Sequence, residues 1–181
     1  MKSKTGSKRQ FLSTREMVLF SMLAALMFVS KVLMEFLPNI HLLGVLTMVY
    51  TLTFRKKALI PIYLYVFLNG LFAGFSVWWI PYLYLWALLW GATMLLPKKM
   101  PLWLASALYP TICCLHGLFF GTLYAPVQAI AYGFSFEETL AWIAMGLRFD
   151  VLHAVGNFSL GLLILPLSTC LKALWKRERR H

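Results

Sequence analysis

The chain has 181 residues, of which 61% are hydrophobic and 13% charged, with a net charge of +11 and a mean hydropathy of +0.75. Soluble domains carry about 25% charged residues, so this composition excludes a soluble globular domain and indicates an integral membrane protein. Positive charge would favour nucleic-acid binding in a soluble chain. Here the basic residues lie at the ends of apolar runs, where they orient a membrane protein and meet anionic lipid headgroups.

Most of the basic residues fall in four short clusters that alternate with the apolar runs. Short loops rich in Lys and Arg stay on the cytoplasmic side of a membrane. We therefore expect an even number of crossings between neighbouring clusters and both termini in the cytoplasm. The clusters are Lys2, Lys4, Lys8, Arg9 and Arg15; Arg55, Lys56 and Lys57; Lys98 and Lys99; and Lys172, Lys176, Arg177, Arg179 and Arg180.

Six apolar runs approach the roughly 20 residues that an α-helix needs to cross the hydrocarbon. The predicted fold is all-α, an integral membrane bundle of six transmembrane helices in a single domain. Basic cytoplasmic tails at 1–15 and 175–181 flank the bundle, which covers 17–174. The predicted spans are about 17–37 (ended by Pro38), the short 41–54, and then 58–76, 79–96, 102–124 and 147–174.

The segment 125–146 lies between the last two predicted spans. Ser135 followed three residues later by Glu138 is the pattern of a capping box, which predicts that a helix begins there. We interpret the segment as an outer-surface cap of one or two short helices. The alternative is a longer, broken fifth helix.

Ionisable residues inside a span are functional candidates, because a charge in hydrocarbon is costly. In the predicted topology these residues map to the outer half of the molecule. Asp150, His153 and Asn157 have spacings of three and four and share one face of a helix. Together with aromatic side chains from other spans they predict an outward-facing pocket. The candidate substrate-binding residues are Lys31, Glu35, Asn39, His41, Asn69, Trp79, Tyr82, Arg148, Asp150, His153 and Asn157.

Each of these residues also has a structural interpretation. The aromatic residues near Trp79 could form an interfacial belt. Lys31 and Glu35, one helical turn apart, could be a structural ion pair. His116 is interpreted as a hydrogen-bonding residue between packed helices.

The sequence carries no catalytic constellation. It lacks the motifs of intramembrane proteases and the Walker motif of an ATPase. His41, His116, His153 and Asp150 could supply metal ligands but lack diagnostic spacing. We therefore predict a protein that is not an enzyme and has no cofactor and no metal.

Small residues line the cytoplasmic half of the first span. Ser21, Ala24 and Ala25 have spacings of three and four, and Ser21 with Ala25 forms a small-x-x-x-small pair that lets another helix approach closely. They are the candidate partner-binding residues, with packing inside the chain as the alternative.

With these features the chain resembles the substrate-binding (S) components of energy-coupling factor (ECF) transporters, the vitamin-uptake systems of bacteria and archaea. The resemblance rests on the length, the six predicted spans and the Ser21-x-x-x-Ala25 pair. It also rests on Leu-Gly-Val-Leu-Thr-Met-Val-Tyr at 43–50, the basic turn Phe-Arg-Lys-Lys-Ala at 54–58 and Gly-Asn-Phe-Ser-Leu-Gly at 156–161.

The resemblance implies a bacterial cell membrane protein that binds a vitamin or related micronutrient from the outer side. It implies docking on one transmembrane coupling protein and two ATPase subunits. The family's contact for the coupling protein is an Ala-x-x-x-Ala pair on the first span, where Ser21 here replaces the first Ala.

The resemblance does not identify the vitamin. The mixed charges of the predicted pocket favour a zwitterionic or weakly anionic aromatic compound. The alternative functions are a membrane scaffold or assembly protein and a stand-alone secondary transporter, the latter disfavoured by the gathering of polar groups at one face.

Overall fold

The computed structural model describes residues 12–37 and 39–178, and within these ranges the fold is entirely helical. The predicted all-α class is therefore confirmed for the described part of the chain. Pro38 and the basic residues of 1–11 and 179–181 lie outside the described residues.

Eight α-helices and two short 3₁₀ segments make up the described structure. The helices are α1 Thr14–Leu33, α2 Leu43–Phe54, α3 Leu59–Ala73, α4 Tyr82–Leu95, α5 Leu102–Leu118, α6 Phe120–Tyr132, α7 Phe136–Gly161 and α8 Ile164–Glu178. The 3₁₀ segments are Arg55–Ala58 and Val77–Trp79.

By length and composition alone, three helical stretches are long and apolar enough to cross a membrane. They are Thr14–Leu33, Leu43–Ala73 and Leu102–Tyr132, and a fourth results if α7 and α8, bent by 49°, count as one span. The helices are thus compatible with membrane insertion, while the six crossings and the orientation of the termini stay predictions.

Helices α1 and α3 run in the same direction. An ion pair of 2.5 Å joins Glu16 near the start of α1 to Lys57 just before α3. At the other ends of the two helices, the rings of Phe28 and Phe72 have centroids 5.3 Å apart.

Helix α2 runs against α1, so the chain reverses between α2 and α3. Tyr50 Oη donates to the Leu23 carbonyl oxygen at 3.0 Å, and the Phe20 and Phe54 ring centroids lie 5.2 Å apart. The reversal occurs at Arg55, whose φ of 56° and ψ of −121° break the helical path. The helical stretch Leu43–Ala73 is therefore a hairpin of two helices in space.

Basic residues gather where these helices begin or end. The Arg55 guanidinium donates to the Met94 carbonyl oxygen at 3.0 Å, which places the end of α4 beside the turn after α2. Lys57, Arg15 and Lys98 lie at or next to the same helix ends in the chain. We call this the basic end of the bundle.

Almost every residue of α2 is buried, so α2 is the central helix of the bundle. This position explains why a run of 12 residues is sufficient here. Its backbone and side chains are surrounded by other helices, and its length need not match a bilayer.

Helices α5 and α6 together run antiparallel to α7. Asn157 Nδ2 donates to the Cys113 carbonyl oxygen at 3.1 Å, and the Gly121 amide donates to Asp150 Oδ1 at 3.0 Å. Helix α8 continues in the direction of α7 to the basic end, where the Trp175 and Phe54 ring centroids lie 5.3 Å apart.

The prediction that 125–146 forms a separate cap of one or two short helices is wrong. Residues up to Tyr132 belong to α6, which continues α5 after a break at Phe119, and residues from Phe136 belong to α7. The alternative of a longer, broken fifth helix describes the structure better. The predicted capping box is confirmed, because Ser135 Oγ accepts from the Glu138 amide and the Glu138 carboxylate accepts from the Ser135 amide.

Gly117 allows α5 and α7 to pack closely. A Cβ at this position would lie 3.0 Å from the backbone of His153, which cannot move aside as a side chain could. Gly91 in α4 is a matched control, because a Cβ there would meet nothing within 4 Å.

We expect Gly117→Ala to lower the apparent melting temperature of the detergent-purified protein, with a loss of about 1–3 kcal/mol from overpacking. Gly91→Ala should raise the melting temperature slightly, because Ala stabilises a helix by about 0.5–1 kcal/mol relative to Gly. Equal shifts for the two variants in thermal unfolding would contradict the packing described for α5 and α7.

Candidate functional site

A cluster of aromatic and imidazole rings fills the interior of the bundle around Trp86. We call it the ring cage. Its members come from the segment before α2 and from α3, α4, α5, α6 and α7. They are His41, Tyr65, Tyr82, Trp86, His116, Phe120 and His153.

The three histidines surround the indole and one another. Ring centroids lie 4.8 Å apart for His41 and His153, 5.7 Å for Trp86 and His116, and 4.9 Å for Phe120 and His153. Most pairs in the ring cage meet edge to face, the geometry that aromatic quadrupoles favour.

Several polar atoms of the ring cage and its two neighbouring Asn side chains lack a hydrogen-bond partner among the described residues, although they are buried. Such an atom costs about 1–3 kcal/mol when it is left unpaired, and native proteins contain few of them. A group of them in one place therefore indicates a site where a polar ligand or water completes the hydrogen bonds. They are His41 Nδ1, Tyr65 Oη, Asn69 Oδ1, Trp86 Nε1, His116 Nδ1, His153 Nε2 and Asn157 Oδ1.

Two of these atoms are acceptors by the geometry of their other contacts. His116 Nε2 lies 3.0 Å from the Leu85 carbonyl oxygen, which can only accept, so Nε2 carries the proton and Nδ1 keeps a lone pair. Asn157 Nδ2 donates to the Cys113 carbonyl oxygen, so its Oδ1 is also an acceptor. The indole Nε1 of Trp86 is a donor only.

Five of the predicted substrate-binding residues belong to this site or lie beside it. His41, Tyr82 and His153 are members of the ring cage. Asn157 follows His153 by one helical turn, and Asn69 follows Tyr65 by one turn on α3. Both Asn side chains are buried.

Asp150 has a structural role. Its Oδ1 accepts from the Gly121 amide, one of the free N–H groups at the start of α6, where the break at Phe119 leaves the helix without internal acceptors. Trp79 also has a structural partner, because its Nε1 donates to the Val66 carbonyl oxygen at 2.8 Å.

The other four predicted residues lie outside the ring cage. Lys31 and Glu35 form an ion pair of 2.8 Å, as predicted from their spacing. Arg148 is exposed, with its guanidinium 4.7 Å from the ring centre of Phe149. Asn39 is exposed and donates to the Phe149 carbonyl oxygen at 3.4 Å.

The sequence-based candidates omitted Tyr65, Trp86 and Phe120, and His116 was interpreted as a packing residue. Aromatic residues inside apolar runs give no signal in composition or spacing that separates a site from a core. His116 does bond across helices to Leu85, as predicted, but its second nitrogen is buried without a partner among the described residues.

A different surface lies toward the basic end. Ser21 and Ala25 are exposed on α1, whereas Ala24 is fully buried and cannot contact a partner. Beside them α1 and α8 border a groove of about 930 Å³. The groove is lined by Thr14, Arg15, Val18, Leu19, Met22, Leu171, Leu174, Trp175 and Arg177.

The chain matches no family model, no curated protein and no solved structure. Within the described residues no group of three or more His, Cys, Asp or Glu side chains is placed to hold a metal ion. The functional interpretation therefore rests on the ring cage and on the surface of α1.

Proposed function

We propose that this chain is the substrate-binding subunit of an ECF-type transporter in a bacterial cell membrane. In this proposal six spans cross the membrane with both termini in the cytoplasm. The ring cage binds a vitamin or related micronutrient, and a transmembrane coupling protein with two ATPase subunits drives its release inside. The observation that carries the proposal is the group of buried, unpartnered polar atoms in the ring cage.

The position of the ring cage supports uptake from outside. His41 precedes α2, Tyr82 begins α4 and Phe120 begins α6. Helices α2 and α4 end at the basic end and α5 begins there, so all three residues lie away from the basic end. Because basic loops stay in the cytoplasm, the ring cage in this proposal lies toward the outer side.

The exposed face of α1 supports a partner. Ser21 and Ala25 present little side chain, so a second helix can approach the α1 backbone closely there. Val18 and Met22, on the same exposed side of α1, border the groove beside α8. Coupling helices of the transmembrane partner would occupy this surface.

The ring cage disfavours the scaffold alternative. In a protein that only holds others together, buried polar side chains are expected to be paired inside the bundle. Here seven polar atoms in one region have no partner among the described residues. A secondary transporter normally places its site between repeats with broken helices at the midplane, and the sequence shows no internal repeat.

Purification from the cells that carry the gene tests the proposal. We expect a tagged chain, extracted in mild detergent, to bring with it one other membrane protein and two subunits with Walker motifs. Mass spectrometry of the purified sample measures their presence and ratio. Purification without any ATPase subunit would favour the scaffold or the secondary transporter.

A further inference from the structure

The charged groups nearest the ring cage are held by other groups of the chain or are exposed. Lys31 lies close enough to act electrostatically on His41, but its ammonium is paired with Glu35 at 2.8 Å. The Asp150 carboxylate accepts from the Gly121 amide, and Arg148 is exposed on the surface.

A ligand with a negative charge would therefore be buried without a free counter-charge, and a ligand with a positive charge would have to compete with the start of α6 for the Asp150 carboxylate. Burial of an unpaired ion costs far more than burial of a neutral polar group. The structure thus argues against the zwitterionic or weakly anionic ligand that the sequence favoured. It favours an uncharged one.

The ring cage is built from flat rings contributed by separate elements. Trp86 is completely buried, and the rings of His41, Tyr65, Tyr82 and His116 lie around it at centroid distances between 5.7 and 6.4 Å. Such surfaces bind planar aromatic compounds well, because aromatic pairs add about 0.5–1.5 kcal/mol each to the area they bury. The ligand is therefore expected to be planar.

The fixed hydrogen-bonding atoms define what the ligand must offer. His116 Nδ1 and Asn157 Oδ1 are acceptors and need two donors, whereas Trp86 Nε1 is a donor and needs an acceptor. An aromatic ring with nitrogen or carbonyl acceptors and N–H or amino donors meets these needs. A purely hydrocarbon ring would leave all three atoms unpaired.

We infer that the ring cage binds an uncharged, planar nitrogen heterocycle that carries an amino or amide group. This inference rests on the proposed function only in taking the ring cage as the ligand site, and it defines the chemical class of the substrate.

Two measurements on the detergent-purified full chain test the inference. Mass spectrometry identifies any small molecule released from the protein, and thermal unfolding is followed with five probes: adenine, cytosine, nicotinamide, purine and nicotinate. Purine is adenine without its amino group, and nicotinate is nicotinamide with a carboxylate in place of the amide.

We expect the released molecule to be an uncharged amino- or amide-bearing heterocycle, or at least one of adenine, cytosine and nicotinamide to bind. If adenine binds, purine should bind about tenfold more weakly. A site whose acceptor atoms need a donor rejects the analogue that lacks the amino group. Nicotinate should bind at least about a hundredfold more weakly than nicotinamide if nicotinamide binds.

Trp86→Phe keeps a ring but removes the indole donor. We expect it to weaken binding of the released molecule or of the best probe about tenfold. Trp103→Phe is the matched control, because Trp103 is 71% exposed on α5 and outside the ring cage. Equal affinities for wild type and Trp86→Phe would contradict the assigned donor.

A released molecule that is charged or not aromatic would overturn the inference. So would the absence of any released molecule together with no response to the probes. The proposed function fails separately. If the chain binds a neutral heterocycle but never purifies with ATPase subunits, the ligand class stands and the transporter assignment is wrong. If the ligand is charged and ATPase subunits are present, the transporter assignment stands and the ligand class is wrong.

Discussion

Ala25→Trp is expected to abolish purification of the ATPase subunits with the chain and to abolish uptake, while the isolated chain keeps its ligand. Ala25 is exposed on α1, so an indole there projects outward and blocks close approach of a second helix without entering the core. Ligand content by mass spectrometry, partner content of the purified complex and uptake into cells are the three readouts.

Ala107→Trp is the matched control for this substitution. Ala107 is also exposed, but it lies on α5, which contributes no residue to the groove beside α1. It should leave partner content and uptake at the wild-type level. If Ala25→Trp lost ligand as well as partners, Ala25 would have a packing role inside the chain, and the partner surface would have to be sought elsewhere.

His153→Ala is expected to weaken ligand binding about a hundredfold, the combined effect of a lost hydrogen bond and lost ring contacts. His153 is buried, its Nε2 has no partner in the described structure, and its ring lies against His41 and Phe120. Titration calorimetry with the identified ligand measures the affinity, and circular dichroism checks that the helical fold is kept.

Asp150→Asn is the control for His153→Ala, since Asp150 lies one turn earlier on α7 and is also buried. Asn keeps an oxygen that accepts from the Gly121 amide, so the start of α6 is preserved. Affinity should stay within about twofold of wild type, because the exchange keeps that hydrogen bond and the ligand carries no charge that could sense the lost carboxylate. A large loss for Asp150→Asn with little loss for His153→Ala would contradict the assignment of these two residues.

The sequence was sufficient to predict the elements that depend on local physics. Apolar runs predicted the helices, and the Ser135 and Glu138 pattern predicted the start of α7. The reversal after α2 followed from the basic turn at Arg55, whose side chain now caps the end of α4. These features are encoded within a few residues of where they occur.

The form of 125–146 could not be predicted in this way. Pro126 does not interrupt α6 but lies in its interior, and Gly133 ends the helix with a left-handed φ of 71°. What extends α6 and α7 past the predicted spans is their packing against each other, which includes the stacked rings of Tyr124 and Trp142 at 6.3 Å. Such pairing joins residues distant in sequence.

The candidate site was predicted in part for a similar reason. Spacing on one helix grouped His153 with Asn157, and both are buried in the structure. It also included Asp150, whose partner on α6 the sequence does not reveal. Trp86 is central to the ring cage yet looks like any aromatic residue in an apolar run. Only the arrangement of the helices shows that its indole nitrogen is buried and has no partner among the described residues.

Native mass spectrometry of the wild-type chain, purified in detergent from the cells that carry the gene, tests most directly whether the ring cage is a binding site. We expect one small molecule per chain, lost on His153→Ala and retained on Asp150→Asn and Ala25→Trp. A wild-type protein that carries no small molecule, and takes up none from an extract of those cells, would contradict it.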